Sequence, residues 1–146
     1  IVCNSPNSRL GNHMNVKVLR DFRDIFVGNP DCFSPEEIPC ELKTLLKQPI
    51  LMLSSKSTTS EYLHQMFATH GLNLLPEVEL NSNDLLMDLA RIGLGIACIP
   101  DYMLNPDDSL KPIPLADPLP PRQLVLVQHD SLPLSQAAER FLDMFS

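Results

Sequence analysis

The sequence predicts an α/β domain built around a mostly parallel sheet. Two apolar segments, at 50–53 and 96–99, have the length of strands and lack polar alternation, which is typical of strands buried on both faces, and Val78 and Leu80 mark a short strand between them. Apolar residues at helical spacing follow the polar runs 54–60 and 81–84. Because the order is strand, helix, strand, helix, strand, right-handed crossovers should place these strands in one sheet covered by helices.

The remaining elements are predicted on either side of this core. Before it we expect strands at 1–3, 16–22 and 24–28, loops at 4–12 and 29–39, and a helical turn at 41–47; after it, strands at 110–115 and 124–128, and a helix opened by Ser135. Gly71 is expected to end the first crossover helix as its C′ residue. Proline and glycine fall between these elements or at their ends.

Composition narrows the class of protein. At 146 residues the chain is about one domain, and 44% hydrophobic residues with 20% charged residues indicate a folded, soluble protein. No apolar run is long enough to cross a membrane. The formal net charge of −7 disfavours nucleic acid as a direct partner, because phosphate neutralisation needs basic residues.

The four cysteines are scattered along the chain rather than paired at zinc-site spacing. We therefore predict reduced thiols in a cytoplasmic protein, with no metal site and no cofactor. Cys3 and Cys98 lie inside apolar runs, where a thiol packs as a small hydrophobic group.

Two polar clusters directly precede predicted helices. Residues 55–60 are rich in Ser and Thr, and residues 81–84 are Asn, Ser, Asn and Asp. Such residues cap helices, and plain capping is one interpretation. The other is a binding site, because helix N-termini with added hydroxyl and amide donors hold anions, and ligands collect at the carboxyl ends of parallel strands.

Catalytic patterns are lacking in the sequence. The four histidines, at positions 13, 64, 70 and 129, stand apart, and no nucleophile elbow or phosphate-binding glycine loop accompanies them. The acidic pairs Glu36-Glu37 and Asp107-Asp108 lie in proline-rich segments and are interpreted as solvated loops. The sequence therefore predicts no catalytic residue.

The segment 49–100 resembles the effector-binding domain of LysR-type transcriptional regulators. The resemblance rests on the runs 45–51 and 78–86, the serine-rich turn that opens the helix before Gly71, and above all on 93–100, a Gly-X-Gly turn into an apolar strand ended by proline. Residues 1–2, 16–30 and 123–145 continue it more loosely, so the resemblance covers nearly the whole chain.

The resemblance implies a type II periplasmic-binding-protein-like fold, with two Rossmann-like lobes and a small-molecule effector in the cleft between them. Residues 1–15 would then end the first lobe and cross over, 16–129 would be mainly the second lobe, and 130–146 a helix returning toward the first. The DNA-binding helix-turn-helix, a linker helix and the start of the first lobe would precede Ile1, where the sequence begins without methionine.

The family's ligand contacts, carried onto this sequence, fall on Ser57 and Thr58 in the first turn, on Asn81 and Ser82 in the second, and on Asn4 near the hinge. The first turn departs from the family's commoner Gly-Ser-Gly pattern, because Lys56 and Thr58 stand where glycines are frequent. These bulkier side chains should narrow that side of the cleft. An anionic effector fits the predicted donors.

The resemblance also implies assembly, since domains of this family pair side by side. In this chain the pairing elements would be the helix 58–70 and the strand 76–80, giving a homodimer or homotetramer. The outer helix face, with Glu61, His64, Gln65 and Thr69, carries few charges, which suits an interface.

The predicted function is effector sensing for a DNA-binding regulator that contacts DNA through the absent N-terminal domain. A solute-binding protein of the same fold is the first alternative, although it would need an export signal and would tolerate oxidation of its thiols. An enzyme on that fold is the second, because fold does not fix function. Upstream sequence would separate the three.

Overall fold

The structure, a computed structural model, describes residues 1–34 and 38–146. The predicted acidic pair Glu36-Glu37 lies outside the described residues. Strands and α-helices follow the α/β order predicted from the sequence. In chain order they are β1 (Val2–Ser5), β2 (Met14–Phe22), β3 (Asp24–Gly28), α1 (Leu42–Leu45), β4 (Ile50–Leu53), α2 (Thr58–Thr69), β5 (Val78–Leu80), α3 (Asn83–Arg91), β6 (Ile96–Pro100), β7 (Lys111–Pro112), β8 (Arg122–His129) and α4 (Gln136–Asp143).

The chain forms two compact units. The first joins Ile1–Asp21 to Arg122–Ser146, and the second is the continuous run Phe22–Pro121. β2 and β8 belong to one sheet of order β1-β8-β2 and lie in the first unit, while the division into lobes at 16–129 stays a prediction. Sequence periodicity identifies such strands but not the sheet that each one joins.

In the second unit the described strands form a mixed sheet of order β5-β4-β6-β3-β7. β4 pairs in parallel with both β5 and β6, as the strand and helix order predicted. β3 pairs antiparallel with β6 and with β7. The parallel arrangement predicted from the strand and helix order therefore holds for β4, β5 and β6, and the antiparallel strands β3 and β7 lie outside that order.

The sheet of the second unit separates two hydrophobic cores. Successive strand residues point to opposite faces, so Ile50 and Met52 enter one core while Leu51 enters the other. Helix α2 packs on the first core through Leu63 and Phe67, which are buried. The members that α3 contributes to the second core are Leu86, Met87 and Ala90. Helices thus cover both faces, as expected for strands that are apolar on each side.

The predicted apolar face of α2 is confirmed. Leu63 and Phe67 are fully buried, and Tyr62 and Met66 are partly buried against the same core. Phe67 meets Phe26 edge to face, with ring centroids 6.1 Å apart. The burial pattern therefore explains why these residues recur at helical spacing.

Two predicted elements are shorter in the structure. The helical turn expected at 41–47 is Leu42–Leu45, and the strand expected at 110–115 is Lys111–Pro112. Leu110 and Ile113 are nevertheless buried, so the apolar residues at 110–115 indicate burial and not a long strand.

The first unit contains a sheet in which β1 and β8 are antiparallel, with Val2 opposite Leu126 and Ser5 opposite Gln123. Helix α4 begins as predicted at Ser135, whose Oγ accepts a hydrogen bond from the backbone N–H of Ala138 at 3.2 Å.

Among the described residues, no helix is both long enough and apolar enough to cross a membrane.

Candidate functional site

The two polar turns predicted from the sequence leave the sheet side by side. In the parallel pair β4 and β5, Leu53 lies opposite Leu80, the last residue of each strand. The backbone N–H of Ser54 then donates to the carbonyl of Leu80 at 2.8 Å. The predicted placement of both turns at the carboxyl ends of adjacent strands is therefore confirmed.

The helices that follow these turns diverge. Helix α2 goes to the first core of the second unit and α3 to the core on the opposite face of the sheet. Where adjacent parallel strands send their connections to opposite faces, a crevice opens between the two turns, and ligands of open α/β sheets bind in such crevices. The edge formed by 54–58 and 81–83 is therefore the candidate site, and we refer to it as the switch-point edge.

The first turn is tightly hydrogen-bonded. Ser57 N–H donates to the carbonyl of Ser54 at 2.8 Å, and Lys56 N–H donates to Ser54 Oγ at 3.3 Å. Ser57 is the N-cap of α2, and its Oγ accepts from Ser60 N–H at 3.0 Å. A serine hydroxyl that accepts in this way keeps its own O–H for donation. Ser57 and Thr58 are half-buried and Lys56 is exposed.

The second turn repeats this arrangement. Ser82 has extended backbone angles and caps α3, with its Oγ accepting from Leu85 N–H at 3.4 Å. Asn81 and Ser82 are exposed, so their remaining donors face outward. Both helices also direct the positive end of their dipole to this edge, which favours a negatively charged group there.

Asn83 belongs to the predicted polar cluster 81–84 but is not one of the five predicted ligand contacts. It is the first residue of α3, and its Oδ1 is buried without a hydrogen-bond donor among the described residues. A buried acceptor of this kind raises the free energy of the fold unless water or a ligand supplies a donor. The signal that could have identified it is its position, directly after the predicted contacts Asn81 and Ser82.

The fifth predicted contact, Asn4, lies in the other compact unit. It is half-buried in β1, opposite Leu124 of β8. The sheet of the second unit therefore brings together Ser57, Thr58, Asn81 and Ser82, and it does not bring Asn4 to them. Ligand contact by any of the five stays a prediction.

Other arrangements with chemical potential are weaker. Among the described residues, no group of three His, Cys, Asp or Glu side chains is placed to hold a metal ion. A depression of about 340 Å³ in the first unit is lined mainly by apolar groups, among them Leu126, Pro133 and Phe141. It offers few polar groups to orient a ligand, so it does not replace the switch-point edge as the candidate site.

Asp108 corrects one sequence interpretation. Its carboxylate accepts two hydrogen bonds from the Arg91 guanidinium, at 3.1 and 2.7 Å, and its side chain is only 6% exposed. The bond from Arg91 is the main reason that the pKa of Asp108 falls to about 2. The interpretation of 107–108 as a solvated loop is therefore wrong for Asp108, which fastens this loop to the end of α3.

Solved structures share this fold. The regulatory domain of Synechocystis PCC6803 CcmR, in complex with 2-PG, is 16% identical with a TM-score of 0.83, and the match covers 99% of this chain and 70% of that one. The effector binding domain of QuiR, in complex with shikimate, is 13% identical with a TM-score of 0.80, covering 97% and 68%. HinK, a LysR family transcriptional regulator from Pseudomonas aeruginosa, is 15% identical with a TM-score of 0.74, covering 99% and 51%.

A sequence model of one protein family matches nearly the entire chain. The family is the LysR substrate binding domain, and the match spans residues 3–146. The resemblance proposed from the Gly-X-Gly turn and the two capped helices is thereby confirmed, together with the periplasmic-binding-protein-like α/β fold that it implied. This chain belongs to the LysR substrate binding domain family.

Proposed function

We propose that this chain senses a small-molecule effector at its switch-point edge on behalf of a LysR-type DNA-binding transcriptional regulator. The observation that carries the proposal is the pairing of two capped, polar turns at the carboxyl ends of adjacent parallel strands. Family membership supports a binding role. So do the 2-PG complex of CcmR and the shikimate complex of QuiR.

We further propose that the effector is an anion. Ser57, Thr58, Asn81 and Ser82 supply hydroxyl and amide donors, and two helix N-termini add partial positive charge at the same edge. Lys56 stands beside them in the first turn. A carboxylate such as shikimate fits this donor set better than a neutral or cationic ligand.

A thermal-shift screen tests this proposal. We expect small carboxylates and phosphate esters, shikimate among them, to raise the melting temperature where their amide or alcohol counterparts do not. Ligand at a hundred times its Kd adds about 2.7 kcal/mol, equivalent to roughly 5–10 °C for a chain of this size.

Asn81→Asp is the informative variant, because it keeps the side-chain shape, spares both N-caps and adds a negative charge at the edge. We expect affinity for an anionic hit to fall about tenfold or more by calorimetry. Asn73→Asp is the matched control, since Asn73 is exposed and precedes β5 at the opposite end of the sheet. Equal affinities of the two variants would contradict the assigned site.

Assembly into a homodimer or homotetramer through α2 and β5 is also proposed. β5 is an edge strand in the described sheet, and Glu61, Gln65 and Thr69 are exposed on the outer face of α2. We expect Gln65→Glu to weaken the assembly in analytical ultracentrifugation without lowering thermal stability. Gln136→Glu, the same change at an exposed position of α4, is the control. An unchanged assembly in both variants would remove α2 from the interface.

Contact with DNA is assigned to a helix-turn-helix outside this sequence, and the net charge of −7 supports that assignment. Titration of this chain against duplex DNA at low salt should give nothing tighter than nonspecific binding. The four free cysteines support a location in the reducing cytoplasm, and they disfavour an exported solute-binding protein.

An enzymatic role finds little support in the described side chains. Ser60 Oγ lies 3.3 Å from His64 Nδ1, but Ser60 is fully buried and the same nitrogen lies 2.7 Å from the Ser60 carbonyl. Ser131 Oγ and Asp130 Oδ1 both approach Nδ1 of His129, whereas a relay needs the two nitrogens of the ring to have different partners. We therefore propose binding without catalysis.

A further inference from the structure

The C-terminal end of α2 carries a histidine with both ring nitrogens facing acceptors. His70 is the C-cap of α2. Its Nδ1 lies 3.1 Å from the carbonyl oxygen of Met66, and its Nε2 lies 3.1 Å from Oδ2 of Asp117. A neutral imidazole has a single N–H and can satisfy one of these oxygens, whereas the imidazolium donates to both.

Local electrostatics favour the doubly protonated form. The last turn of α2 contains no other basic residue, so the negative end of the helix acts on His70 alone within that turn. The hydrogen bond to the Met66 carbonyl, followed by that to Asp117, raises the pKa of His70. Thr69 Oγ1 is 3.3 Å from Nδ1, but it donates its own proton to Met66 O.

Two further charged groups line the same shallow depression, Glu41 and Lys43. They pair with each other at 2.9 Å, so their effects on His70 largely cancel. Among the residues that the structure describes, Asp117 is therefore the charge outside α2 that favours the proton on His70.

Asp117 ends a segment that backbone bonds attach to Cys40. Cys40 N–H donates to Pro114 O at 2.7 Å, and Ala116 N–H donates to Cys40 O at 2.9 Å. The contact between His70 and Asp117 adds a second attachment, to α2. The next residues are Pro118 to Pro121, which lead out of the second unit.

We propose that His70 is an acid-strengthened latch, which in its imidazolium form fastens the segment 114–117 to the C-terminal end of α2. Because the folded protein favours the proton on His70, the latch is fully closed below the ordinary histidine pKa of about 6.5. It opens as the pH rises through the raised pKa of the folded chain. The proposal does not depend on effector binding.

Hydrogen exchange of the Ala116 amide in the intact chain tests the latch. After correction for base-catalysed intrinsic exchange, we expect its protection to fall about two- to fivefold between about pH 5.5 and about pH 8, as suits an exposed ion pair. The Ile96 amide, which donates to Pro49 O inside the sheet, should show no such change and reports on global unfolding.

Two variants and one control complete the test. Asp117→Asn keeps an acceptor oxygen and removes the charge, so it should reduce the pH dependence and lower the pKa of His70 measured by NMR, while the hydrogen bond to Met66 O remains. His70→Gln should give pH-independent protection. Asp130→Asn, which removes the carboxylate beside His13 and His129 in the first unit, should leave Ala116 unchanged. The latch is refuted if wild-type protection is flat with pH, or if its pH dependence is as large in Asp117→Asn as in the wild type.

Discussion

Gly95→Ala should destabilise the second unit, because the sheet leaves no room for a methyl group there. A Cβ on Gly95 would lie 2.5 Å from the carbonyl oxygen of Pro49 and 3.2 Å from Cγ of Leu51. Pro49 O accepts the hydrogen bond of Ile96 N–H at 2.8 Å. The methyl group would therefore displace the acceptor that begins the pairing of β4 with β6.

The expected loss can be worked out from these contacts. Crowding a packed site by one methyl group costs about 1–3 kcal/mol, and weakening the Ile96 hydrogen bond adds about 0.5–1.5 kcal/mol. Alanine also restricts the unfolded chain, which offsets about 0.4–1 kcal/mol. The net loss is about 2 kcal/mol, or roughly 4–8 °C in melting temperature for a chain of this size.

Urea and thermal unfolding followed by far-UV circular dichroism measure this loss against two matched variants. Gly71→Ala meets nothing within 4 Å but has φ +69°, so it should lose about 1 kcal/mol from backbone strain alone. Gly11→Ala also meets nothing within 4 Å, and its φ is not positive, so it should lose nothing. If Gly95→Ala unfolds like Gly11→Ala, the steric argument is wrong.

Three further substitutions have defined outcomes. Asp108→Asn should lose about 1–2 kcal/mol at neutral pH, allowing for solvent screening of Arg91, whose side chain is 35% exposed. Because the pKa of Asp108 is lowered to about 2, the wild type should have the higher free energy of unfolding above the ordinary carboxylate pKa and should lose this difference as the pH falls through about 2. A difference in urea melts that does not shrink on acidification would contradict this. Phe67→Ala leaves a cavity beside Phe26 and should lose about 3–5 kcal/mol in the same melts; a loss below about 1 kcal/mol would mean that the first core does not depend on this ring. Ser82→Ala removes the N-cap of α3 and should lose about 0.5–2 kcal/mol by thermal unfolding, with an unchanged melting temperature as the contrary result.

The elements of the second unit were predictable where a local signal and burial agree. Strands β4 and β6 are apolar on both faces because each face meets a different core. Ser57 and Ser82 were recognisable as helix starts because short hydroxyl side chains bond the backbone of their own helix. Gly71, expected at C′, has the positive φ of 69° that this position requires.

Features set by contacts distant in sequence were not predictable. The antiparallel insertion of β3 between β6 and β7 depends on sheet partners that no local pattern encodes. Asp108 was interpreted as a solvated loop residue because its partner Arg91 lies seventeen positions earlier, too far for a local sequence pattern to indicate the ion pair. The candidate site also has a predictable and an unpredictable part. The two turns could be predicted because their serines cap the helices that follow. The buried Oδ1 of Asn83, which has no donor among the described residues, can be recognised only from its surroundings in the fold.

The interrupted course of the first unit bears on the order in which the chain folds. About a hundred residues, Phe22–Pro121, separate its two segments, and closing an unstructured loop of that length costs about 4 kcal/mol in chain entropy. The continuous second unit needs no such closure. Once it has folded, the flanking segments need not search for each other, and in the folded first unit Gln123 Nε2 donates to Asp21 Oδ1 at 3.2 Å. We therefore expect the second unit to fold first and the two segments of the first unit to pair afterwards.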